Sequence, residues 1–590
     1  MQNTRLRASL NLRLISAVTA GLLAIATLRA TSSAQTPKLP VQPVLGPNVL
    51  LFDPSMPAAD IQAQIDKVYS VEQHSEFGPE RYALLFLPGE YHVDVPVGFY
   101  TEVIGLGATP DAVHIIGNVH SDASLPRNNA TCTFWRAVEG FSVTPTDGSM
   151  QWAVSQAVPF RRMHVLGNLV LHQKGGWASG GWMSDSLVDG NVGSGPQQQW
   201  ISRNSEWASW TGANWNMVFV GIPHTPQGEW PQPPYTKVER TPVVREKPFL
   251  EVDAKGNWSV RVPALQRDSQ GITWHGGSTP GHSVPLSSFY IAQPGRDSAA
   301  AMNAQLGKGK NLLLTPGLYD LTEPIRITHP NTLVLGLGFA TLRPTNGTAA
   351  ITTADVDGVD IAGILFDAGQ QISPVLVEVG PEGSHAAHAK NPTFLHDVSF
   401  RDGGAGAGSV KVNLRVNSND TVIDHTWIWR ADHGKGAGWT SSLSDNGLVV
   451  NGNNVTAYGL FVEHHQQFQV LWNGNHGRTY FYQSEIPYDP PDQPGFTSAP
   501  GVKGWASYKV ADNVSSHEAW GLGIYSVFRH PNVMLTRAIE VPVTPGVRFH
   551  HMITVALDNL GEISNVIDDK GGPTHVAPGR VTPKVAEFPQ

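Results

Sequence analysis

Short runs of apolar residues, bounded by Gly, Asn, Asp and Pro, follow one another along most of the chain, a pattern that predicts many short strands. In one region the pattern repeats. Leu448-Val-Val-Asn-Gly-Asn-Asn454 lies over Val470-Leu-Trp-Asn-Gly-Asn-His476, and Leu460-Phe-Val-Glu463 over Tyr482-Gln-Ser-Glu485, at a constant offset of 22. Such a period is one coil of a β-solenoid, in which equivalent positions stack about 4.8 Å apart and equivalent side chains form columns. Apolar triplets ending in a polar residue recur upstream, at Ile364-Leu-Phe-Asp367, Val398-Ser-Phe-Arg401 and Trp427-Ile-Trp-Arg430. They predict a column reading Asp367, Arg401, Arg430, Glu463, Glu485.

A longer repeat encloses the short one. Ile61, Ile65 and Val68 have the spacing of one helical face, and Leu84-Leu-Phe-Leu-Pro-Gly-Glu-Tyr91 and Val103-Ile-Gly-Leu-Gly107 follow. The same order returns as Ala299-Ala-Ala-Met-Asn-Ala-Gln-Leu306, Leu312-Leu-Leu-Thr-Pro-Gly-Leu-Tyr319 and Leu333-Val-Leu-Gly-Leu-Gly338. Each helix is expected to cap an open solenoid end, which otherwise exposes unpaired strand groups. The expected fold class is all-β, with two tandem right-handed parallel β-helices. Their boundaries fall at 35–245 and 284–575, with a linker over 246–283 and a C-terminal tail over 576–590.

Composition agrees with a turn-rich β protein: charged residues make up 15%, with 60 Gly and 17 Trp. Residues 1–34 read as a secretory signal peptide, with Arg5, Arg7 and Arg13 before an apolar Leu14–Leu28 and small residues at Ser32-Ser-Ala34. That predicts a secreted protein, extracellular or periplasmic. Without its four arginines the chain carries 36 basic against 49 acidic residues, a net −13. This disfavours nucleic acid, anionic membrane and polyanionic substrates as partners. A lone cysteine, Cys132, leaves no intramolecular disulfide to form.

Glu463 and Glu485, neighbours in one column, repel when both are ionised, so one should stay protonated near neutrality and can act as a general acid. The structural alternative is that a polar residue merely ends each strand. Gly105-Leu-Gly107 and Gly336-Leu-Gly338 lack the third glycine and following helix of a dinucleotide fingerprint and read as turns. Glu463-His-His465 and Asp432-His433 lack the ligand spacing of a catalytic metal centre, so no metal or other cofactor is expected.

With its duplicated β-helix pattern, secretory signal and glutamate pair, the chain resembles the exo-β-1,3-glucanases of glycoside hydrolase family 55. The most specific stretches are Val154-Ser-Gln-Ala-Val-Pro-Phe-Arg-Arg-Met-His164, Gly175-Gly-Trp-Ala-Ser-Gly-Gly181, the Asn-Gly-Asn coils and Gln483-Ser-Glu-Ile-Pro-Tyr488. The resemblance implies two β-helices side by side, an active site in the groove between them, and inversion at the anomeric centre. It implies Glu485 as general acid, with Glu463, Ser179 and Gln156 holding the attacking water and no single dedicated base required. The implied substrate is β-1,3-glucan polysaccharide or oligosaccharide, cleaved from its non-reducing end; a monomer is expected. A spacing of about 5 Å between adjacent coils would by itself favour a retaining pair, and the resemblance runs against that.

A neutral sugar stacks on aromatic rings, and Trp177, Trp182, Trp472, Tyr480, Tyr482 and Trp505 lie in or beside these stretches, so they are the expected substrate-binding residues. A polysaccharide lyase would instead need an acidic substrate and usually an aspartate cluster for Ca²⁺. A non-catalytic carbohydrate-binding solenoid would need the aromatics without the acid.

Overall fold

The structure, a computed structural model, describes residues 42–558 and 560–589. The expected signal peptide lies outside the described residues.

Strands from Val49–Phe52 to Tyr235–Val238 build the first solenoid. Its longest sheet stacks nine strands, all parallel, and a second sheet runs from Gly89–Tyr91 to Glu206–Thr211. The second solenoid starts at Phe289–Ala292, and its longest sheet climbs through Val422–Arg430, Thr456–Glu463, Gly477–Glu485 and His517–Ser526 to Val547–Ala556. Its coil-to-coil pairs are parallel, and the step between Thr456–Glu463 and Gly477–Glu485 has the 22-residue offset read from the sequence, as in Leu460↔Tyr482 and Phe461↔Gln483. Inward positions such as Leu460, Val462 and Tyr482 fill one continuous core, as expected of parallel strands covered on both faces.

Helices Ala58–Glu72 and Ala299–Leu306 open the two copies. The first buries Ile61, Ile65 and Val68; in the second, the Ser298 side chain accepts the Ala301 N–H as an N-cap. Between the copies, Phe249–Val252, Trp258–Pro263 and Gly281–Pro285 form a small antiparallel sheet. The stretch read as a C-terminal tail carries the strand Lys584–Phe588, which pairs antiparallel with Val547–Ala556 and covers the edge of the last coil.

The solenoids pack through their long sheets. Each long strand of the second solenoid bends at one left-handed residue, in a column that includes His425, Gly459, Phe481 and His551. A Cβ at Gly459 would come 2.5 Å from the Trp182 ring of the first solenoid, so the close approach there requires glycine. Trp182, Ile201 and Val218 of one copy meet Trp427, Tyr458, Phe461 and Tyr480 of the other in an aromatic layer. Beside it, Arg161 bonds Asp397 at 2.7 and 2.9 Å and Asp424 at 2.9 Å, while Arg203 bridges Asp424 and Glu246. Losing one partner of such a buried network strands the other charge, so the network holds the two solenoids in a single orientation.

Candidate active site

Glu463 and Glu485 end their strands at the same corner of successive coils, and the His464 N–H donates to the Glu485 carbonyl at 2.9 Å. The column beneath them differs from the sequence reading. Arg401 pairs with Trp429, and Trp429 with Glu463, whereas Arg430 pairs with Asp402. Aligning the triplets by their terminal polar residue slips the register by one, and in a strand one residue reverses the face. Arg430 accordingly binds Asp489 at 2.9 Å, and the indole of Trp429 faces the cleft in its place.

A cavity of about 610 Å³ opens between residues of both solenoids. Gln156, Ser179, Trp177, Cys132 and Phe134 come from the first copy; Trp427, Trp429, Asp432, Glu463, Glu485 and Tyr488 come from the second. All four expected catalytic residues therefore line one space. The Gln156 amide donates from Nε2 to Glu463 Oε1 at 2.9 Å, and the Trp427 indole donates from Nε1 to Oε2 at 2.8 Å. Ser155 contacts Gln156 Oε1 and so fixes which end of the amide faces the glutamate. Ser179 Oγ accepts from Gln199 Nε2 at 3.2 Å. The next residue, Gly180, has φ +91°, and a Cβ there would press on the Phe461 ring at 3.0 Å.

On the other side of the pair, the Tyr488 hydroxyl donates to Glu485 Oε2. His464 packs edge-on against the Tyr488 ring, and burial pushes its imidazole down to about 4, so it stays neutral. Burial pushes Glu485 up to about 7, against the Tyr488 hydrogen bond and with the help of Asp432. Burial and the Glu485 charge also raise Glu463. Two carboxyls so placed titrate as a unit and hold one proton between them near neutrality. Two N–H donors on Glu463 favour its charged form and so oppose the effect of its deeper burial.

Of the six expected substrate-binding aromatics, only Trp177 lines this cavity, and it is 50% exposed. Trp182 is buried between the solenoids, stacked on His425 at 5.2 Å. Tyr480 lies in the same layer, sandwiched between Tyr458 and Trp520. Trp472 and Tyr482 point inward and belong to the second core, and Trp505 packs on that core against Phe468. The four buried rings, Trp182, Trp472, Tyr480 and Tyr482, are packing residues, and Trp505 lies off this cavity: nearness to a motif does not fix the face of a strand, and in a coil the face decides between core and cleft. The rings that do face the cavity, Phe134, Trp215, Trp427 and Trp429, were missed. The two-residue spacing of Trp427 and Trp429 was the signal that both share one face. Tyr488, at the end of the Gln483–Tyr488 stretch, also faces the cavity.

Fold and site define the class: a double parallel β-helix with a paired-glutamate cleft, the frame of a solenoid glycoside hydrolase. Residues 289–485 match the model of the LAM55 pectate lyase-like domain. The chain is 47% identical over 571 residues to the exo-beta-1,3-glucanase of Streptomyces sp. SirexAA-E, spanning 95% of this chain and 94% of that protein. The solved structure of sacteLam55A from the same organism matches with a TM-score of 0.90 at 47% identity, covering 92% of this chain and 99% of that one. A variant of sacteLam55A in complex with glucose matches equally, TM-score 0.90 and 47% identity, over 92% of this chain and 98% of that one. The chain belongs to glycoside hydrolase family 55, the family of these exo-β-1,3-glucanases.

Proposed function

We propose that this protein releases glucose from the non-reducing end of β-1,3-glucan with inversion, in the cavity between its two solenoids. The observation that carries the reading is the buried Glu463–Glu485 pair, clamped by Gln156 from the opposite solenoid. The 47% identity to an exo-beta-1,3-glucanase supports the substrate class and the glucose product.

In the proposed reaction, Glu485 gives its proton to the glycosidic oxygen as the bond to the anomeric carbon breaks. Glu463, Gln156 and Ser179 hold a water against the opposite face of that carbon. The proton this water gives up enters the hydrogen-bonded set, in which Glu463 is the carboxylate. Trp427 and Gln156 donate to Glu463, which favours its charged form and aims it, at no cost of reorganisation during reaction. Trp177, half exposed at the cavity, offers a ring face to the sugar chain.

Digestion of laminarin with product analysis tests this. Glucose should be the product from the earliest times, appearing first as the α-anomer by NMR. An initial β-anomer would replace inversion by retention, and unsaturated sugars would replace hydrolysis by elimination. The basic and apolar residues 1–34 support export, with the mature chain starting near Gln35, and N-terminal sequencing of the protein outside the cytoplasm checks that. A monomer is proposed, to be checked by sedimentation.

A further inference from the structure

Apart from the glutamate pair, a second cluster of ligating atoms lies at the edge of the cavity, with Cys132 and His433 on its wall. Glu76 follows the capping helix, Cys132 lies in the first solenoid, and His433 lies in the second. One carboxylate oxygen, the thiol sulfur and a ring nitrogen of these three lie within 4.8 Å of one another. With bonds of about 2.0 Å to N or O and 2.3 Å to S, the edges of a tetrahedral zinc site measure about 3.3–3.8 Å. Small side-chain rotations therefore close the gap.

The surroundings suit a bound cation. His433 Nε2 faces Glu76 Oε1 at 2.7 Å, while its Nδ1 donates to Asp432 Oδ1 at 2.9 Å. A carboxylate behind Nδ1 is the usual support of a metal-binding histidine, and Nε2 would exchange its hydrogen bond to Glu76 for a shared ion. Asp432 is itself held by Arg529 at 3.2 Å. Phe77 and Trp429 pack against the imidazole at 5.5 and 5.4 Å and limit its rotation. The Cys132 thiol has no hydrogen-bond partner among the described residues, and the nearby charges are the carboxylates of Glu76, Asp432, Glu485 and Glu463. The Glu76 and His433 side chains are 25% and 36% exposed, which gives an ion a way in.

We propose that Glu76, Cys132 and His433 form an inhibitory site for a thiophilic divalent cation such as zinc, whose occupancy staples the two solenoids at the cavity wall and obstructs the sugar. Binding forms bonds to Sγ, Nε2 and the Glu76 carboxylate, and the thiol proton and the Nε2 proton leave to solvent. The fourth position takes water or solute. No catalytic step uses the metal; it competes with substrate for space lined by Cys132 and His433 beside Glu463 and Glu485.

The test uses the full mature chain, reduced and freed of metal, with cobalt(II) as the probe. One equivalent should raise a near-ultraviolet thiolate-to-cobalt charge-transfer band that excess zinc abolishes. Cys132→Ser should lose the band, and Glu76→Gln, whose side chain lies off the cavity wall, should bind cobalt more weakly while keeping it. Zinc should slow laminarin hydrolysis by the wild type. Each variant, compared with its own metal-free rate, should resist zinc in the order of its lost affinity. A wild type with no charge-transfer band, or a band that survives in Cys132→Ser, overturns the site whatever the hydrolytic activity proves to be. Band formation without any slowing of hydrolysis overturns the inhibitory role.

Discussion

Gln156 Nε2 sits 2.9 Å from Glu463 Oε1, although the two residues are 307 positions apart and belong to different copies of the repeat. Neither solenoid alone contains this contact, so duplication of the fold is what completes the site. If the contact positions water, it matters most in the transition state. Gln156→Ala and Ser179→Ala should then lower kcat far more than they raise KM. Unchanged turnover in both variants would remove the first solenoid from the chemistry.

Trp427 tests the same carboxylate from the other side. Trp427→Phe keeps a ring in the aromatic layer but removes the indole N–H that donates to Glu463 Oε2 at 2.8 Å. Removing a donor to the charged form raises the pKa of Glu463. The acidic limb of the kcat/KM profile, where Glu463 becomes ionised, should move to higher pH. An unmoved limb would mean that the indole serves packing alone.

The pattern of strands was legible in the sequence because the coil period writes itself as repeated residues, and the paired glutamates followed from that period. The partners of the pair were less legible. Gln156 and Ser179 came only through a family resemblance, because a loop of one copy meeting a strand of the other leaves no periodic trace. The aromatic assignments failed at Trp472 and Tyr482 for a different reason. Both are inward residues of the second core, and composition near a motif carries no information about parity.

That distinction predicts opposite phenotypes for two tryptophans. Trp177→Ala should weaken substrate binding, seen as a raised KM for laminarin, with an unchanged melting temperature. Trp182→Ala removes a fully buried ring between the solenoids and should cost about 3–5 kcal/mol in stability, as large-to-small changes of buried aromatics do. Denaturant melts of the two variants separate the cases.

Glu72, at the end of the first capping helix, is fully buried, and neither of its carboxylate oxygens has a hydrogen-bond partner among the described residues. Burial pushes it up to about 8, against the pull of Arg81. A carboxyl whose folded pKa lies above its unfolded value favours the folded state below the unfolded pKa, and that contribution is lost as pH rises through the folded value. Relative to wild type, Glu72→Gln should therefore gain melting temperature from about pH 4.5 to about pH 8 and level off above, whatever its offset at low pH. A pH-independent difference would show that Glu72 does not titrate in this window.

The central prediction concerns Glu485. A glycosidic oxygen leaves poorly until it is protonated, and a positioned acid typically supplies about 10²–10⁴-fold in rate. Glu485→Gln keeps the size of the side chain but has no proton to give, so laminarin hydrolysis should fall by at least that range with the fold intact. An aryl β-glucoside, whose leaving group hardly needs protonation, should lose much less. In the proposed assignment Glu463 carries the like charge that keeps the proton on Glu485, and Glu463→Gln removes it. Glu485 then ionises more readily, and the alkaline limb of the rate profile should move to lower pH as the rate drops. Near-normal laminarin hydrolysis by Glu485→Gln would overturn Glu485 as the acid and leave Glu463 as the one raised-pKa carboxyl lining the cavity among the described residues.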